Sequence, residues 1–307
     1  MNRQSIAMNS GLGIVSILLW SSTVALGRSL SEQLGLLTAG AVVFGLAGTL
    51  GAVSLAARRQ LGDTLRALTP AYVLRCGSLF VLYELLLYLA LGLSANRSQV
   101  LEVALVHYLW PMLTLFFSAL SLHSRPHPTF YAGGILAMVG VVLAMTQDSA
   151  VTWQSFQSNL SGNAAPYVIA LAAAFAWSLY SVSSRRWSSE SQSSAVVLWM
   201  LLTGIALGLA RLAFPETSQP DARIGWELGF MAISSNIAYG FWERALRKGN
   251  VILVVSLSYL TPLFSTLFSS LYLGVRMGWR LWLGCALVVG GATVCNLTQD
   301  KSTPQEH

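Results

Sequence analysis

The sequence contains little charge. Asp, Glu, Lys and Arg together make up 10% of its 307 residues, whereas an ordinary soluble domain is roughly 25% charged. Hydrophobic residues reach 54%, and the mean hydropathy is +0.61. A soluble protein of this length needs far more charge to cover its surface, so the composition excludes a soluble enzyme, a disordered chain and a nucleic-acid-binding protein. The chain is therefore expected to lie mostly in lipid.

Motifs for catalysis and cofactor binding are also missing from the sequence. The three cysteines, Cys76, Cys285 and Cys295, form no CxxC pair. This pattern favours thiols packed between helices over a disulfide or a metal site. The sequence has no GxxxxGK[ST] phosphate loop, no HExxH motif and no metal-spaced histidine cluster. We therefore expect no enzyme activity, no cofactor, no metal and no ATP-driven motor within the chain.

Long apolar runs are what the sequence does contain. A bilayer core about 30 Å thick needs about 20 apolar residues at a rise of about 1.5 Å each. Ten such runs occur, and at this length only helices satisfy every backbone group in lipid. The predicted fold is an all-α membrane protein with ten transmembrane helices. The predicted spans are residues 9–29, 36–57, 70–92, 99–121, 128–146, 165–185, 193–213, 223–246, 250–273 and 277–297.

Lysine and arginine are distributed unevenly between the two ends of these spans. Eleven lie on the side that holds the N-terminus and six lie on the other side, while Arg75 falls within the third span. The positive-inside rule then places both termini in the cytoplasm. The eleven are Arg3, Arg58, Arg59, Arg66, Arg125, Arg185, Arg186, Arg244, Arg247, Lys248 and Lys301; the six are Arg28, Arg97, Arg211, Arg223, Arg276 and Arg280.

The chain also contains an internal repeat. Tyr108 and Pro111 match Tyr259 and Pro262 at an offset of 151 residues. Further pairs occur at offsets of 151 or 157 residues, and they predict that residues 1–150 and 151–307 are two related five-helix halves. These pairs are Arg125 with Arg276, Gly133 with Gly284, Gly140 with Gly291, Trp20-Ser21 with Trp177-Ser178, and Arg28 with Arg185.

An odd number of helices in each half predicts that the second half enters the membrane from the opposite side. Arg125 falls on the predicted cytoplasmic side and its counterpart Arg276 on the outer side, in agreement. Inverted-topology repeats are typical of secondary transporters, whose substrate site lies near the midplane between halves that rock around it. A duplicated membrane enzyme or scaffold is the alternative, which the missing catalytic motifs disfavour.

The repeated motifs resemble those of the drug/metabolite transporter superfamily, with its EamA-like domains. The shared features are a Trp-Ser pair in the first helix of each half, an L-x-P-L pattern in the fourth, with Met112 as its last residue in the first half, and a G-x6-G pattern in the fifth. Further motifs resemble those of bacterial aromatic amino acid exporters of the YddG type. These motifs are Tyr83-Glu84, Glu102-Val103, Tyr108-Leu109-Trp110-Pro111, Gly249-Asn250-Val251 and Ser258-Tyr259.

This resemblance covers nearly the whole chain and implies export of aromatic amino acids across a bacterial inner membrane, with related amino acids or planar cationic drugs as further substrates. It implies a small-molecule substrate and lipid as partners, no nucleic acid, and a monomer or weak homodimer. Many superfamily members have a Gly-Glu pair after the fourth helix of a half. Here Gly274 is followed by Val275 and Arg276, so the role of that acid does not transfer.

Ionisable residues inside the spans are the first functional candidates, because charge in lipid is costly. Glu84, Glu102 and His107 are candidates for a proton relay, and the alternative is that each carboxylate fastens neighbouring helices. Glu243, near a cytoplasmic helix end, is expected to extend its carboxylate toward water. If no proton is relayed, a uniporter driven by the substrate gradient is expected.

An aromatic amino acid needs apolar walls for its ring, an acceptor or ring face for its ammonium group, and a donor for its carboxylate. Residues of these types occur near the middle of several spans, although any single aromatic residue could serve only in core packing. The predicted substrate-binding set is Trp20, Tyr83, Glu84, Tyr88, His107, Tyr108, Trp177, Tyr180, Asn236, Tyr239, Ser256 and Tyr259.

Two matched prolines are the candidate gating positions. Pro111 and Pro262 each remove one helical hydrogen bond and free a carbonyl a turn earlier. Such matched interruptions are typical of moving parts in repeat transporters, and the alternative is a static kink. A cationic multidrug carrier remains an alternative within the same class. A nucleotide-sugar carrier is disfavoured, because the span interiors contain almost no basic residues.

Overall fold

Helices are the regular elements that the computed structural model contains in the parts of the chain it describes, residues 3–121, 128–146, 151–187, 195–273 and 278–299. In chain order they are α1 Arg3–Leu34, α2 Leu36–Ala57, α3 Leu61–Arg66, α4 Pro70–Tyr72, a π-helical turn Val73–Gly77, α5 Ser78–Gly92, α6 Arg97–His107, α7 Trp110–Ser121, α8 Pro128–Thr146, α9 Trp153–Gly162, α10 Ala165–Trp187, α11 Val196–Ala213, α12 Ile224–Lys248, α13 Val251–Ser258, α14 Thr261–Leu273 and α15 Trp279–Gln299.

By length and composition, seven helical segments within the described residues could cross a membrane, and α13 with α14 make an eighth if that bent pair is one span. The remaining two predicted spans, 223–246 and 277–297, are also helical, as α12 and α15. Helix α12 contains several charged residues, and the apolar part of α15 is the short stretch Trp279–Cys295. The fold is therefore all-helical, as predicted, with seven or eight candidate spans.

Two of the predicted spans are broken just before their prolines. Helix α6 ends at His107 and α7 begins at Trp110, while α13 and α14 meet at a bend of 44°. Asn96 and Asn250 cap the first helix of each broken pair, with side-chain oxygens that accept hydrogen bonds from the amides of Gln99 and Leu253. Proline cannot donate to the preceding turn, which explains why both breaks lie at this point.

Helices pair across the two predicted halves of the chain. Helix α1 packs on α12, α5 on α10, α2 on α11 and α8 on α15. Glycine permits the closest approach: a Cβ atom on Gly133 would lie 2.7 Å from the carbonyl oxygen of Gly291, and one on Gly284 would lie 2.7 Å from that of Gly140. Because an early residue of α8 meets a late residue of α15, these two helices run antiparallel.

A Gly-x-x-x-Gly spacing in α11 is also used inside the chain. A Cβ atom on Gly204 would lie 2.7 Å from the backbone nitrogen of Gly45 in α2, and one on Gly208 would lie 4.0 Å from the Cβ of Ala41. This motif could equally have marked a dimer face. Its contacts with α2 favour packing within one chain.

Candidate functional site

Aromatic rings from five helices meet around Trp177 of α10. Its ring centroid lies 4.5 Å from that of Tyr83, 5.2 Å from that of Tyr180 and 6.1 Å from that of Trp20. These separations are typical of favourable offset and edge-to-face ring contacts. Trp177 itself is only 2% exposed. We call the following residues the aromatic cluster: Trp20, Phe80, Tyr83, Trp110, Trp177, Tyr180, Tyr239 and Trp242.

The two tryptophans of the repeated Trp-Ser motif face each other in this cluster. Trp20 comes from α1 and Trp177 from α10, and their rings are in edge contact at an angle of 73°. The indole Nε1 of Trp20 is buried and has no hydrogen-bond partner among the described residues. An unpaired buried donor is costly, so this N–H is available to a bound acceptor.

The carboxylate of Glu84 lies directly against the rings. Glu84 of α5 is 2% exposed and accepts a hydrogen bond from the phenol of Tyr239 on α12. The Tyr239 ring packs at 5.3 Å from Trp20 and 5.1 Å from Phe80. The Glu84 carboxylate therefore joins α5 to α12 at the edge of the aromatic cluster, where it could accept hydrogen bonds from a cation.

His107 adds a second polar group next to the cluster. Its ring stacks on Tyr83 with centroids 5.7 Å apart and an angle of 21° between the planes. Its Nε2 atom is buried without a partner among the described residues. The structure thus brings together seven of the predicted binding residues: Trp20, Tyr83, Glu84, His107, Trp177, Tyr180 and Tyr239.

Three predicted residues lie in a different part of the protein. Tyr259 is fully buried in a second apolar cluster with Val141 and Val288, and Tyr108 packs against the same cluster. Ser256 is also fully buried, on α13, which packs against α15. These residues surround the contact of α8 with α15, and Tyr108 also borders the site, since its ring lies 6.0 Å from that of His107 in an edge contact.

Asn236 and Tyr88 connect the site to α2. The side-chain amide of Asn236 donates to the carbonyl oxygen of Ala47 at 2.8 Å. Tyr88 makes an edge contact with Phe44 at 6.2 Å, and a Cβ atom on Gly40 would lie 2.4 Å from the Tyr88 ring. The Phe44 ring also packs on that of Tyr239 at 5.9 Å, so Phe44 and Tyr88 border the aromatic cluster.

Glu102 lies in a polar network that is already well supplied with donors. Its carboxylate accepts hydrogen bonds from Ser155 at 2.8 Å, from Asn159 at 3.0 Å and from the phenol of Tyr167. These partners come from α9 and the start of α10. The network fastens these helices to α6, and it favours the structural alternative for Glu102 over the proton-relay alternative.

The expectation for Glu243 was wrong. Its side chain is 1% exposed rather than extended into water, and it accepts a hydrogen bond from the Tyr72 phenol at 3.0 Å. Helix α12 turns this residue inward beside Trp242 of the aromatic cluster. Position near a helix end does not decide exposure when the end is covered by neighbouring helices.

Four residues at or beside the site are absent from the predicted substrate-binding set, although Trp110 and Trp242 lie inside predicted spans that supply other members of that set. Phe80 lies three residues before Tyr83, and Trp242 lies three residues after Tyr239, so helical spacing could have identified both. Trp110 stands beside the matched proline. Tyr72 carried no local signal, because its role depends on Glu243 of a distant helix.

Both prolines are preceded by a carbonyl that the other half of the chain binds. The hydroxyl of Ser21 donates to the carbonyl oxygen of Thr261 at 3.1 Å, and that of Ser178 donates to the carbonyl oxygen of Trp110 at 2.9 Å. Thr261 and Trp110 immediately precede Pro262 and Pro111. The serine of each Trp-Ser motif therefore holds the broken helix of the opposite half.

Comparison with known proteins gives a consistent family. The EamA-like transporter family matches residues 10–146 and 165–297. The protein named aromatic amino acid exporter YddG of Ancylobacter novellus is 31% identical over 294 residues, with 93% of this chain and 96% of that protein covered. The YddG exporter of Escherichia coli is 29% identical over 288 residues, with 92% and 95% covered. A solved crystal structure superposes with a TM-score of 0.80 at 29% identity and covers 95% of this chain and 99% of that chain.

Proposed function

Because the chain belongs to the EamA-like transporter family, we propose that it is a secondary transporter that exports aromatic amino acids from bacteria across the inner membrane. Relatives from three bacteria bear the name aromatic amino acid exporter, and each is similar over most of both chains. The family members that match are transporters and not enzymes. Small-molecule transport through a multi-pass membrane protein follows from the family.

The observation that carries this proposal is a buried carboxylate set against buried rings. Glu84 touches Tyr239, whose ring packs on Trp20 and Phe80. A carboxylate is the acceptor that an ammonium group needs, and the aromatic faces match an aromatic side chain and attract the cation as well. A site of this kind selects a substrate with a ring and a positive charge close together.

Donors for the substrate carboxylate are also present in the site. The Nε1 atom of Trp20 and the Nε2 atom of His107 are buried without partners among the described residues. A neutral imidazole of His107 with its hydrogen on Nε2 would donate a hydrogen bond from that atom to the substrate carboxylate. We therefore place the substrate carboxylate toward Trp20 and His107, and the ammonium group toward Glu84.

The proposed transport cycle is alternating access between two inverted halves, residues 1–150 and 151–307. The paired contacts support it. Gly133 meets Gly291, and their repeat counterparts Gly284 and Gly140 also meet. In the same way, the bond from Ser21 to Thr261 has the bond from Ser178 to Trp110 as its counterpart. Contacts that exchange in this way are those expected around a pseudo-two-fold axis in the membrane plane.

The proposed topology has ten membrane spans and cytoplasmic termini. Helices α12 and α15 are the two spans beyond those found by length and composition. The buried Glu227 and Glu243 make α12 polar, yet their side chains face protein rather than lipid, so a membrane position is compatible with them. Several residues used in the sequence-based prediction lie outside the described residues. They are the matched pair Arg125 and Arg276, Lys301, and residues 274–276, where the Gly-Glu pair of other superfamily members is missing.

We propose that the breaks at Pro111 and Pro262 are gates, since a serine of the opposite half holds the carbonyl that precedes each proline and so couples each break to the other half. Glu84 is the strongest proton-relay candidate, followed by His107, because Glu102 is already bound by three donors. A uniporter remains the alternative if no proton moves.

We further propose a monomer or weak homodimer, which the packing of Gly204 against α2 within the same chain supports.

The test is uptake of labelled tryptophan or phenylalanine into proteoliposomes that contain the purified protein. We expect saturable flux that unlabelled aromatic amino acids compete away, and alanine or glutamate should compete poorly. An absence of competable flux refutes the substrate assignment. An imposed pH gradient then separates proton coupling from uniport, since a proton-coupled flux changes with the gradient and a uniporter's flux does not.

A cationic multidrug carrier is the second candidate, because a buried carboxylate surrounded by rings also suits planar cations. The two functions differ in their need for a substrate carboxylate. Flux of a planar aromatic cation without competition from tryptophan would favour the multidrug carrier.

A further inference from the structure

A second charged site lies beside the aromatic cluster, away from Glu84. Glu243 directly follows Trp242 of the cluster on α12, and the Tyr72 phenol donates to its carboxylate at 3.0 Å. Arg247 lies one helical turn further on, with Nη1 3.9 Å from Oε1 of Glu243. We call Tyr72, Glu243 and Arg247 the inner charge site.

Both charges of this site are withdrawn from solvent. The side chain of Glu243 is 1% exposed and that of Arg247 is 9% exposed. Removing an ion pair from water costs about as much free energy as the attraction between its charges contributes. Apolar residues of similar volume would therefore hold these helices equally well. The buried pair of Glu243 and Arg247 is therefore a functional candidate.

The position of the inner charge site suits the entry of a substrate. It lies at the C-terminal end of α12, which the distribution of lysine and arginine predicts to be cytoplasmic, where an exporter takes up its cargo. The aromatic cluster lies directly next to this site, because Trp242 precedes Glu243 in the chain. The Trp242 ring lies 5.1 Å from that of Trp20 and stacks at 6.3 Å on that of Trp177.

We propose that the inner charge site recognises the amino acid head group on entry, with Glu243 binding the ammonium group and Arg247 the carboxylate. An arginine fork matches a carboxylate in two hydrogen bonds. The incoming zwitterion replaces the ion pair between Glu243 and Arg247 by two ion pairs, one from each of these residues to the substrate. Neither protein charge is then left unpaired. This proposal rests on the proposed export function and adds the residue that distinguishes an amino acid from an amine.

The carboxylate of Glu84 cannot distinguish an amino acid from an amine. Among the described residues, no Lys or Arg lies within ion-pair distance of its carboxylate. Glu84 therefore favours any aromatic ammonium ion, whether or not it has a carboxylate. Trp20 and a neutral His107 offer the carboxylate hydrogen bonds but no charge, whereas a buried guanidinium lies next to the cluster at Arg247 and can select for the charge of the carboxylate.

The experiment compares tryptophan with tryptamine, which lacks the carboxylate, on inverted membrane vesicles whose cytoplasmic face meets the medium. The readout is the ratio of the inhibition constant of tryptamine to the KM of tryptophan. In Arg247→Met we expect the KM of tryptophan to rise about tenfold or more, as for the loss of a charged hydrogen bond, and the ratio to fall by a similar factor. Arg247→Lys should restore part of the ratio.

The matched control is Arg66→Met, since Arg66 is 85% exposed; it should leave both constants as in the wild type. If Arg247→Met does not fold, Glu243→Gln gives the converse result. Tryptophan and tryptamine then weaken together, while competition by indole-3-propionate, which has no ammonium group, is unchanged. A ratio that stays at the wild-type value in the folded Arg247 variants overturns the proposal. If the wild type carries no aromatic amino acid at all, the failure lies instead with the proposed function.

Discussion

Glu84 and Glu102 are both buried glutamates in helices of the first half, yet their surroundings differ. Glu84 accepts a hydrogen bond from Tyr239 and lies against aromatic rings. Glu102 accepts hydrogen bonds from a serine, an asparagine and a tyrosine that hold α9 and α10 in place. Burial alone therefore does not identify a transport residue. The number of remaining acceptor positions and the neighbouring surface separate a carboxylate that can bind cargo from one that fastens helices.

The comparison between the two glutamates is tested most strongly by Glu84→Gln. Glutamine keeps the shape and can still accept from Tyr239, but it loses the charge that attracts an ammonium group. We expect the flux of tryptophan at low concentration to fall about tenfold or more, as for a lost charge-assisted hydrogen bond. Thermal unfolding in detergent should stay near the wild-type temperature. Wild-type flux in proteoliposomes containing this variant would contradict the assigned role, whatever happens at Glu102.

Glu102→Ala should give the opposite pattern, a loss of stability with little change in KM. The substitution removes one acceptor each from Ser155, Asn159 and Tyr167; Tyr167 is buried, and an unpaired buried group costs about 1–3 kcal/mol. The measurement is the unfolding temperature in detergent together with the KM of the remaining folded protein. A raised KM at unchanged stability would move Glu102 into the transport site and remove the distinction.

The tyrosine partners of the two glutamates provide a smaller, matched test. Tyr239→Phe removes the donor to Glu84 and keeps the ring contacts, so we expect a few-fold change in the KM of tryptophan, consistent with a hydrogen bond of about 1 kcal/mol. Tyr167→Phe removes the corresponding donor to Glu102, and only the unfolding temperature should fall. Identical effects of the two substitutions on KM would speak against separate roles.

The smallest effect is expected for Glu102→Gln. Glutamine retains one oxygen acceptor for the α9 and α10 partners, removes the charge and replaces the other oxygen by an NH2 donor. We expect flux, and its response to an imposed pH gradient, to match the wild type within a factor of about two. A lost pH response in this variant, with the response of Glu84→Gln intact, would assign the proton relay to Glu102 instead.

Much of the site could be predicted because its residues repeat along the chain. The Trp-Ser pairs at Trp20 and Trp177 were visible as a repeat, and the structure places both rings in one cluster. The analogous tyrosines of the repeat, Tyr108 and Tyr259, were expected in the same site but pack in a second cluster. A repeat shows which positions correspond, and only the orientation of each helix shows where those positions point.

Length, composition and spacing by themselves determined that this chain is helical, apolar and built from repeated motifs, because these properties are local to each segment. Tertiary structure decided which faces of the helices meet. It turned Glu243 inward against Tyr72, tied Asn236 to α2 and gave Glu102 its three donors. The physical reason is that burial and hydrogen bonding of these helical residues depend on partners 53 to 189 residues away, and no local pattern encodes that choice.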